Sequence, residues 1–185
     1  MNGKIINIPN LLTLARIVLT PFIVYAIMSQ AAVHALILML IAGLTDMFDG
    51  AIAKHFNQRT VVGSYMDPIA DKLMLISAII SLFMIDQTPL FLFLAVIFRD
   101  VIIVVGAVAY ELVTRRLEMQ PTMTSKATTA MQITYVAMAL LHMAGMLPAL
   151  AVTVAIWVTF LLTCISGLHY MWAWTEKAIV HEGKQ

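Results

Sequence analysis

The stretch 46-DMFDGAIAKHFNQRTVVGSYMDPIAD-71 places four aspartates in one short segment of an otherwise apolar chain. The chain has 185 residues, of which 62% are hydrophobic and 11% are charged. On helices, Asp46 and Asp49 are three residues apart and Asp67 and Asp71 are four apart, so each pair lies on one helical face. Two neighbouring antiparallel helices therefore direct four carboxylates toward one point.

Carboxylates concentrated in this way need compensating charge, because like charges repel strongly in a low-dielectric medium. The nearby cations Lys54, Lys72 and Arg16 are too few to neutralise all four. Hard divalent cations neutralise them well, and ligands that are all oxygen favour Mg²⁺, Mn²⁺ or Ca²⁺ over zinc. We therefore expect a divalent-metal site. The alternatives are a structural polar cluster and a proton or cation pathway.

The residues around the aspartates indicate what the metals would hold. Gly50 and Ala53 give a small-residue face beside the carboxylates, which leaves room for a bulky flat group or a close backbone approach. With Lys54 beside them, they favour a ligand that carries a pyrophosphate bridged by metal ions. Gly63 permits a tight turn, and Asp67-Pro68 is typical of a helix start, with Asp as the cap and Pro at the first helical position.

The rest of the chain predicts an all-α integral membrane protein with six transmembrane helices, forming one domain over residues 1–185. The mean hydropathy is +0.93, and apolar runs of about 20 residues recur, which is the length that crosses the hydrocarbon core of a bilayer. Turn signals separate these runs. The predicted helices are 11–28, 33–55, 67–85, 89–113, 123–146 and 149–172.

The distribution of basic residues predicts the orientation. Almost all Lys and Arg residues fall on one side of the predicted spans, whereas Asp86 is the only charged residue in the opposite loops. Both termini and the loops 56–66 and 114–122 are therefore expected in the cytoplasm, with the aspartates in the cytoplasmic half of the bundle. A net charge of +1 argues against nucleic acid as a partner, and the single cysteine, Cys164, excludes an intrachain disulfide.

The aspartate stretch resembles the signature of the CDP-alcohol phosphotransferase family, D-x2-D-G-x2-A-R-x8-G-x3-D-x3-D. One departure is Lys54, where the family usually has arginine; lysine keeps the charge but loses the planar fork that binds phosphate in two places. The opening IPNLLTLARI also resembles the start of bacterial phosphatidylglycerophosphate synthases and related cardiolipin synthases, with a polar cluster of Asn10, Thr13 and Arg16. The signature residues that match are Asp46, Asp49, Gly50, Ala53, Gly63, Asp67 and Asp71.

This resemblance implies a homodimeric enzyme of the membrane, expected in a bacterial inner membrane, that acts at the cytoplasmic face. It implies that Asp46, Asp49, Asp67 and Asp71 hold two Mg²⁺ or Mn²⁺ ions, which bind the diphosphate of CDP-diacylglycerol. Asp71 is then the general base for the acceptor hydroxyl. The residues expected to bind the donor are Gly50, Ala53, Lys54, Gly63 and Ser64.

The acceptor depends on residues outside the signature. In phosphatidylglycerophosphate synthases the segment 125–132 usually resembles G-K-x-K-T-x-x-Q, whereas here it is SKATTAMQ, so Lys126 is kept and Thr128 replaces the second lysine. One lysine fewer favours phosphatidylglycerol, as in CMP-forming cardiolipin synthases. Glycerol 3-phosphate is the alternative, and an inositol-type acceptor comes third. A small cation transporter with an aspartate relay is the alternative of another class.

Three basic residues are predicted to contact the acceptor: Arg99, Arg115 and Lys126. Arg99 lies within the fourth predicted helix beside Asp100. Because adjacent helical residues point about 100° apart, an ion pair between these two is disfavoured and a role at the acceptor phosphate is preferred.

Overall fold

The computed structural model describes residues 8–55, 61–114 and 123–182, and within them the side chains of 12–45, 66–106 and 123–172. Within the described residues the chain is all helical, without strands. Its helices are α1 (Ile8–Met28), α2 (Ala32–His55), α3 (Val61–Met84), α4 (Leu90–Thr114), α5 (Met123–Met143) and α6 (Ala149–Glu182).

The prediction of six helices is confirmed, but two helix starts were wrong, since α1 begins at Ile8 rather than at residue 11 and α3 begins before residue 67. Helix α3 begins at Val61, so Asp67 and Pro68 lie inside it and do not start it. Gly63 likewise lies in the first turn of α3 and not in a turn before it. Pro68 removes one backbone hydrogen bond, and the helix continues across it. At the other end of the chain, α6 extends to Glu182 rather than ending at residue 172.

Three helices end with the same hydrogen-bonded motif. After α1, the amide of Ala31 donates to the carbonyl of Ala26 at 2.9 Å, and Gln30 between them has a φ of 56°. This 6→1 bond with a left-handed residue is a Schellman cap. The same pattern follows α3, with Asp86 at a φ of 60°, and α5, with Gly145 at a φ of 74°. These caps lie at the breaks between predicted helices, where the turn signals are residues 29–30, 86–89 and 145–148.

The helices form two compact units. The first contains α1, α2, α3 and residues 136–148, and the second contains residues 88–135 and α6. In the first unit α1 packs against both α2 and α3. Alanines are fully buried on each of the two partner helices, including Ala35 and Ala78, which lets the helix backbones approach closely.

Helix α1 has polar residues on its buried face and apolar residues on its exposed face. Thr13, Arg16 and Thr20 are buried together with Ile23 and Ile27. The opposite stripe exposes large apolar side chains, which are Leu14, Val18, Phe22 and Tyr25. A helix that packs in water has the reverse arrangement.

In the second unit, α4 packs against α6. Phe91 of α4 stacks on Trp157 of α6 with ring centroids 5.2 Å apart, and Phe160 meets Phe91 edge-on at the same separation. Thr159 and Thr163 of α6 are buried and donate to backbone carbonyls one turn earlier in their own helix. Their hydroxyls are therefore satisfied inside α6.

Among the described residues, one helical segment is both long and apolar enough to cross a membrane, namely Ala149–Trp172. Leu12–Met28 and Ala32–Thr45 form shorter apolar segments.

Candidate active site

In the first unit, two polar residues of α1 hold two of the signature aspartates of α3. The hydroxyl of Thr13 donates to Oδ1 of Asp67 at 2.5 Å, and Nη1 of Arg16 donates to Oδ1 of Asp71. Thr13 and Arg16 are three residues apart on α1, and Asp67 and Asp71 are four residues apart on α3. Each two residues therefore lie on one face of their helix, one turn apart, and the two faces meet. Residue numbers rise together along the two pairs, so α1 and α3 run parallel.

Burial differs between the two sides of these contacts. Thr13 and Arg16 are each 0% exposed, whereas the side chain of Asp71 is 47% exposed. A buried donor therefore binds the carboxylate of Asp71, which is itself partly exposed to solvent. Thr20, one turn further along α1, uses its hydroxyl on the carbonyl of Arg16 at 3.0 Å and stays within its own helix.

The contact between Arg16 and Asp71 is an ion pair as well as a hydrogen bond. Arginine remains protonated in proteins, and hydrogen bonds between charged groups are roughly twice as strong as neutral ones. Thr13, by contrast, is a neutral donor, so it orients Asp67 without neutralising it. Lys72, beside Asp71 in the sequence, is half-buried.

The donor chemistry of these residues fits a hard divalent cation. Asp67 and Asp71 lie one turn apart on α3 and supply oxygen ligands only, as Mg²⁺ and Mn²⁺ prefer. The other two predicted ligands, Asp46 and Asp49, lie near the end of α2, and their side chains are outside the described part. Among the side chains that are described, no three potential ligands form a group, so the metal site stays a prediction.

All five predicted donor-binding residues have helical backbones, but their side chains are not described. The last turns of α2 contain Gly50, Ala53 and Lys54, and the first turn of α3 contains Gly63 and Ser64. Asn10 lies in the first turn of α1, again without a described side chain. Their predicted roles are therefore untested.

A second polar cluster lies in the second unit, with Arg99 of α4 at its centre. Arg99 is 2% exposed and donates from Nη1 to Oδ1 of Asp100 at 2.7 Å. Its Nη2 donates to Oγ of Ser125 on α5 at 2.6 Å and to Oγ of Ser166 on α6 at 3.2 Å. The guanidinium thus joins three helices of this unit. The ion pair with Asp100 does form, so the prediction that these adjacent residues would not pair was wrong; the long, flexible arginine side chain can reach a neighbour that points in a different direction.

Two further polar residues of α5, which follow Ser125 in the sequence, are also buried. Thr128 is fully buried and donates to the carbonyls of Thr124 at 2.8 Å and Leu162 at 3.1 Å. One turn later, Gln132 is 0% exposed, and neither atom of its amide has a hydrogen-bond partner in the described part of the chain. An unsatisfied buried amide is uncommon and costs about 1–3 kcal/mol.

The predicted acceptor residues lie in different surroundings. Arg99 is already bonded within the unit, whereas Lys126 is exposed. Close to Lys126 in sequence, Thr124 forms a 3.0 Å hydrogen bond with Nδ1 of His169 on α6. Arg115 lies outside the described residues.

Sequence reasoning weighed Asp100 as a partner of Arg99 but did not identify the other two. Ser166 was not singled out, and Ser125 and Gln132 were noted only as parts of a pattern. The available signal was the presence of small polar residues within otherwise apolar helices, where they commonly form hydrogen bonds between helices.

These features agree with the comparison to known families. The chain belongs to the CDP-alcohol phosphatidyltransferase family, whose model matches residues 6–165. This family membership confirms the resemblance seen in the aspartate stretch and argues against the transporter alternative.

Individual relatives fall into two groups by name. The chain is 33% identical over 126 residues to the CDP-diacylglycerol–glycerol-3-phosphate 3-phosphatidyltransferase of Aquifex aeolicus, covering 66% of this chain and 69% of that protein. It is 32% identical over 175 residues to a probable phosphatidylglycerophosphate synthase of Mycobacterium tuberculosis, covering 91% and 82%. It is 37% identical over 151 residues to the human cardiolipin synthase (CMP-forming), covering 72% of this chain but only 50% of the human protein.

Proposed function

We propose that this protein is an integral membrane phosphatidyltransferase. Its donor is CDP-diacylglycerol, its acceptor is an alcohol, and CMP is released. The observation that carries this proposal is the pair of contacts from Thr13 to Asp67 and from Arg16 to Asp71 within a chain of this family. Such contacts hold two signature carboxylates in fixed positions, as a site for a charged ligand requires.

The chemistry transfers one phosphorus between two oxygens. The oxygen of the acceptor hydroxyl forms a bond to the phosphorus that carries the diacylglycerol, and the bond from that phosphorus to the CMP oxygen breaks. Asp71 accepts the proton of the attacking hydroxyl, and its partly exposed carboxylate is open to such a group. Asp46, Asp49, Asp67 and Asp71 would hold two Mg²⁺ or Mn²⁺ ions, which would supply positive charge for the diphosphate and the leaving CMP.

The remaining signature residues bind the donor in this proposal. Lys54 provides a positive charge for a phosphate, although without the two-point geometry of arginine. The small side chains of Gly50 and Ala53 make room for the nucleotide, and Gly63 and Ser64 lie at the start of the helix that carries Asp67 and Asp71.

For the acceptor, we favour phosphatidylglycerol, which would make the protein a CMP-forming cardiolipin synthase. Thr128 stands where the glycerol-phosphate enzymes usually have a second lysine, and its hydroxyl is bonded to two backbone carbonyls in a buried position. This position supplies no positive charge. The phosphodiester of phosphatidylglycerol carries one negative charge, whereas the monoester of glycerol 3-phosphate carries nearly two.

Glycerol 3-phosphate remains the second acceptor. The matches to the Aquifex and Mycobacterium proteins favour it, because both carry names of glycerol-phosphate enzymes and both are covered over more than two thirds of their length.

The proposed setting is a bacterial inner membrane that all six helices cross, with both termini in the cytoplasm and a homodimer as the assembly. The polar-inside packing of α1 supports it, since its exposed stripe of Leu14, Val18, Phe22 and Tyr25 suits lipid. At 1.5 Å per residue, the 21 residues of α1 span about 30 Å, which matches the hydrocarbon thickness.

The deciding experiment separates the two acceptors. Purified protein is incubated with CDP-diacylglycerol and Mg²⁺, and with phosphatidylglycerol or glycerol 3-phosphate in separate reactions, after which the lipid product is identified by mass spectrometry. We expect cardiolipin and CMP from the first reaction. Phosphatidylglycerophosphate as the sole product would assign glycerol 3-phosphate as the acceptor, and absence of CMP in both reactions would refute both acceptor assignments.

A further inference from the structure

We propose that Thr13 and Arg16 are positioning residues that orient the carboxylates of Asp67 and Asp71 for binding a divalent cation. This inference rests on the proposed function, because it assigns the two α1 side chains to the same metal site. Neither residue is proposed to touch the metal or a substrate.

The geometry separates these two contacts from ordinary helix packing. Both donors are completely buried, and each points to one oxygen of a carboxylate on α3. A carboxylate bonded through one oxygen has lost rotational freedom, so its second oxygen faces a defined direction. Two such restraints at matching positions set the separation and tilt of two ligands on one helix face. Hydrogen bonds of this kind to metal ligands typically contribute 10–100-fold to metal affinity.

The charges of the two donors make the inference testable. Arg16 places a positive charge near the proposed cation. A neutral residue at position 16 would therefore have two opposing effects on metal affinity: it would reduce the repulsion of the metal, and it would release Asp71 from its hydrogen bond. Thr13 has no charge, and lysine at position 16 keeps the charge while losing the guanidinium geometry. Thr13→Val and Arg16→Lys therefore change orientation while leaving the net charge constant.

Helix α1 also provides a matched control. Thr20 is buried on the same face, but its hydroxyl donates to the backbone carbonyl of Arg16 and to neither aspartate. Thr20→Val removes the same atoms as Thr13→Val from the same helix. A loss of metal affinity caused by general loosening of α1 would appear in both variants.

The experiment measures Mn²⁺ binding by electron paramagnetic resonance on the full-length protein in detergent, without lipid substrate. We expect Thr13→Val and Arg16→Lys each to weaken binding about tenfold. Thr13→Ser, which keeps the hydroxyl, should restore binding to within about twofold of the original protein, and Thr20→Val should stay in the same range. Thermal unfolding without metal identifies any variant that does not fold. If Arg16→Lys does not fold, the Mn²⁺ affinity of Thr13→Val alone tests the positioning role.

The outcomes separate this inference from the proposed function. Unchanged Mn²⁺ affinity in Thr13→Val, or an equal loss in Thr20→Val, would overturn the positioning role, as would an original protein that binds no Mn²⁺. CMP release from CDP-diacylglycerol is measured in parallel. A protein that binds Mn²⁺ in the expected order of variants but releases no CMP would refute the transferase and leave the positioning role standing.

Discussion

Arg99 and Asp100 are neighbours in the chain, and the guanidinium of the first donates a 2.7 Å hydrogen bond to the carboxylate of the second. Both side chains are buried in the second unit, at 2% and 9% exposure. Residues adjacent on a helix do not face each other, so this pair requires the arginine side chain to fold back. The hydroxyl oxygens of Ser125 and Ser166 accept hydrogen bonds from Nη2 of the same guanidinium. Arg99 therefore joins helices in addition to any role at the acceptor.

Removing the charge of Asp100 should destabilise the protein strongly. Asp100→Asn leaves a buried guanidinium without its countercharge, which costs about 3 kcal/mol in comparable buried pairs. We expect a clear drop in the thermal unfolding temperature in detergent. Asp86→Asn is the matched control, since Asp86 is exposed in a turn and asparagine tolerates its positive φ. Equal unfolding temperatures for the two variants would mean that the pair contributes no stability.

Replacing either described signature aspartate should abolish the reaction. Asp67→Asn and Asp71→Asn keep the size of the side chain while removing a charged ligand or base, so we expect CMP release to fall by at least about 100-fold. The measurement is metal-dependent CMP release from CDP-diacylglycerol by protein whose unfolding temperature is unchanged. Normal release by both variants would exclude these carboxylates from the site.

Neutralising Lys126 should affect the acceptor and leave the donor unaffected. Lys126 is exposed at the start of α5, so Lys126→Gln should not disturb packing. We expect the KM of the acceptor to rise about tenfold, as for the loss of a charged hydrogen bond of about 1.4 kcal/mol, with the KM of CDP-diacylglycerol unchanged. A rise in the donor KM alone would assign this lysine to the nucleotide.

Glycine at two of the helix caps should stabilise the fold. Gln30 and Asp86 adopt positive φ angles that glycine reaches without a Cβ penalty, so Gln30→Gly should add about 0.5–1 kcal/mol. Gly145→Ala should lower the stability by about the same amount. Open space surrounds that position, but an alanine there is strained because its backbone would have to keep a positive φ. Ala31→Gly, one residue after Gln30, adds chain entropy without removing a side-chain hydrogen bond and serves as the control. Unfolding temperatures that fail to separate Gln30→Gly from this control would contradict the cap assignment.

The buried amide of Gln132 should be replaceable with a gain in stability. Gln132→Met keeps a similar length and removes two polar atoms that lack partners within the described part of the chain, so we expect about 1 kcal/mol of added stability. Thermal unfolding in detergent measures the change, and Thr128→Val, which removes a bonded hydroxyl, should lower the unfolding temperature instead. A loss of stability in Gln132→Met would mean that a water molecule or lipid group satisfies the amide.

Most of the helical layout could be predicted because apolar runs and turn residues are local signals. The start of α3 could not be predicted, because an Asp-Pro pair is compatible with a helix start and also with a helix interior. In this chain Asp67 and Pro68 lie in the interior of α3. The spacing of the aspartates predicted that Asp67 and Asp71 share one helix face, and the resemblance of the opening segment singled out Thr13 and Arg16. Which α1 residue meets which aspartate depends on the parallel register of α1 and α3, and no local pattern encodes it. The same holds for Arg99, because two of its three partners, Ser125 and Ser166, lie on other helices far along the chain.

The buried polar face of α1 also has a consequence for biosynthesis. Arg16 and its partner Asp71 are separated by 55 positions in the chain. In the proposed membrane setting, α1 is translated before α3, so Arg16 enters lipid without the aspartate that it meets in the folded unit, at a cost that the later contact removes. Insertion of α1 together with α2 and α3 would avoid that cost.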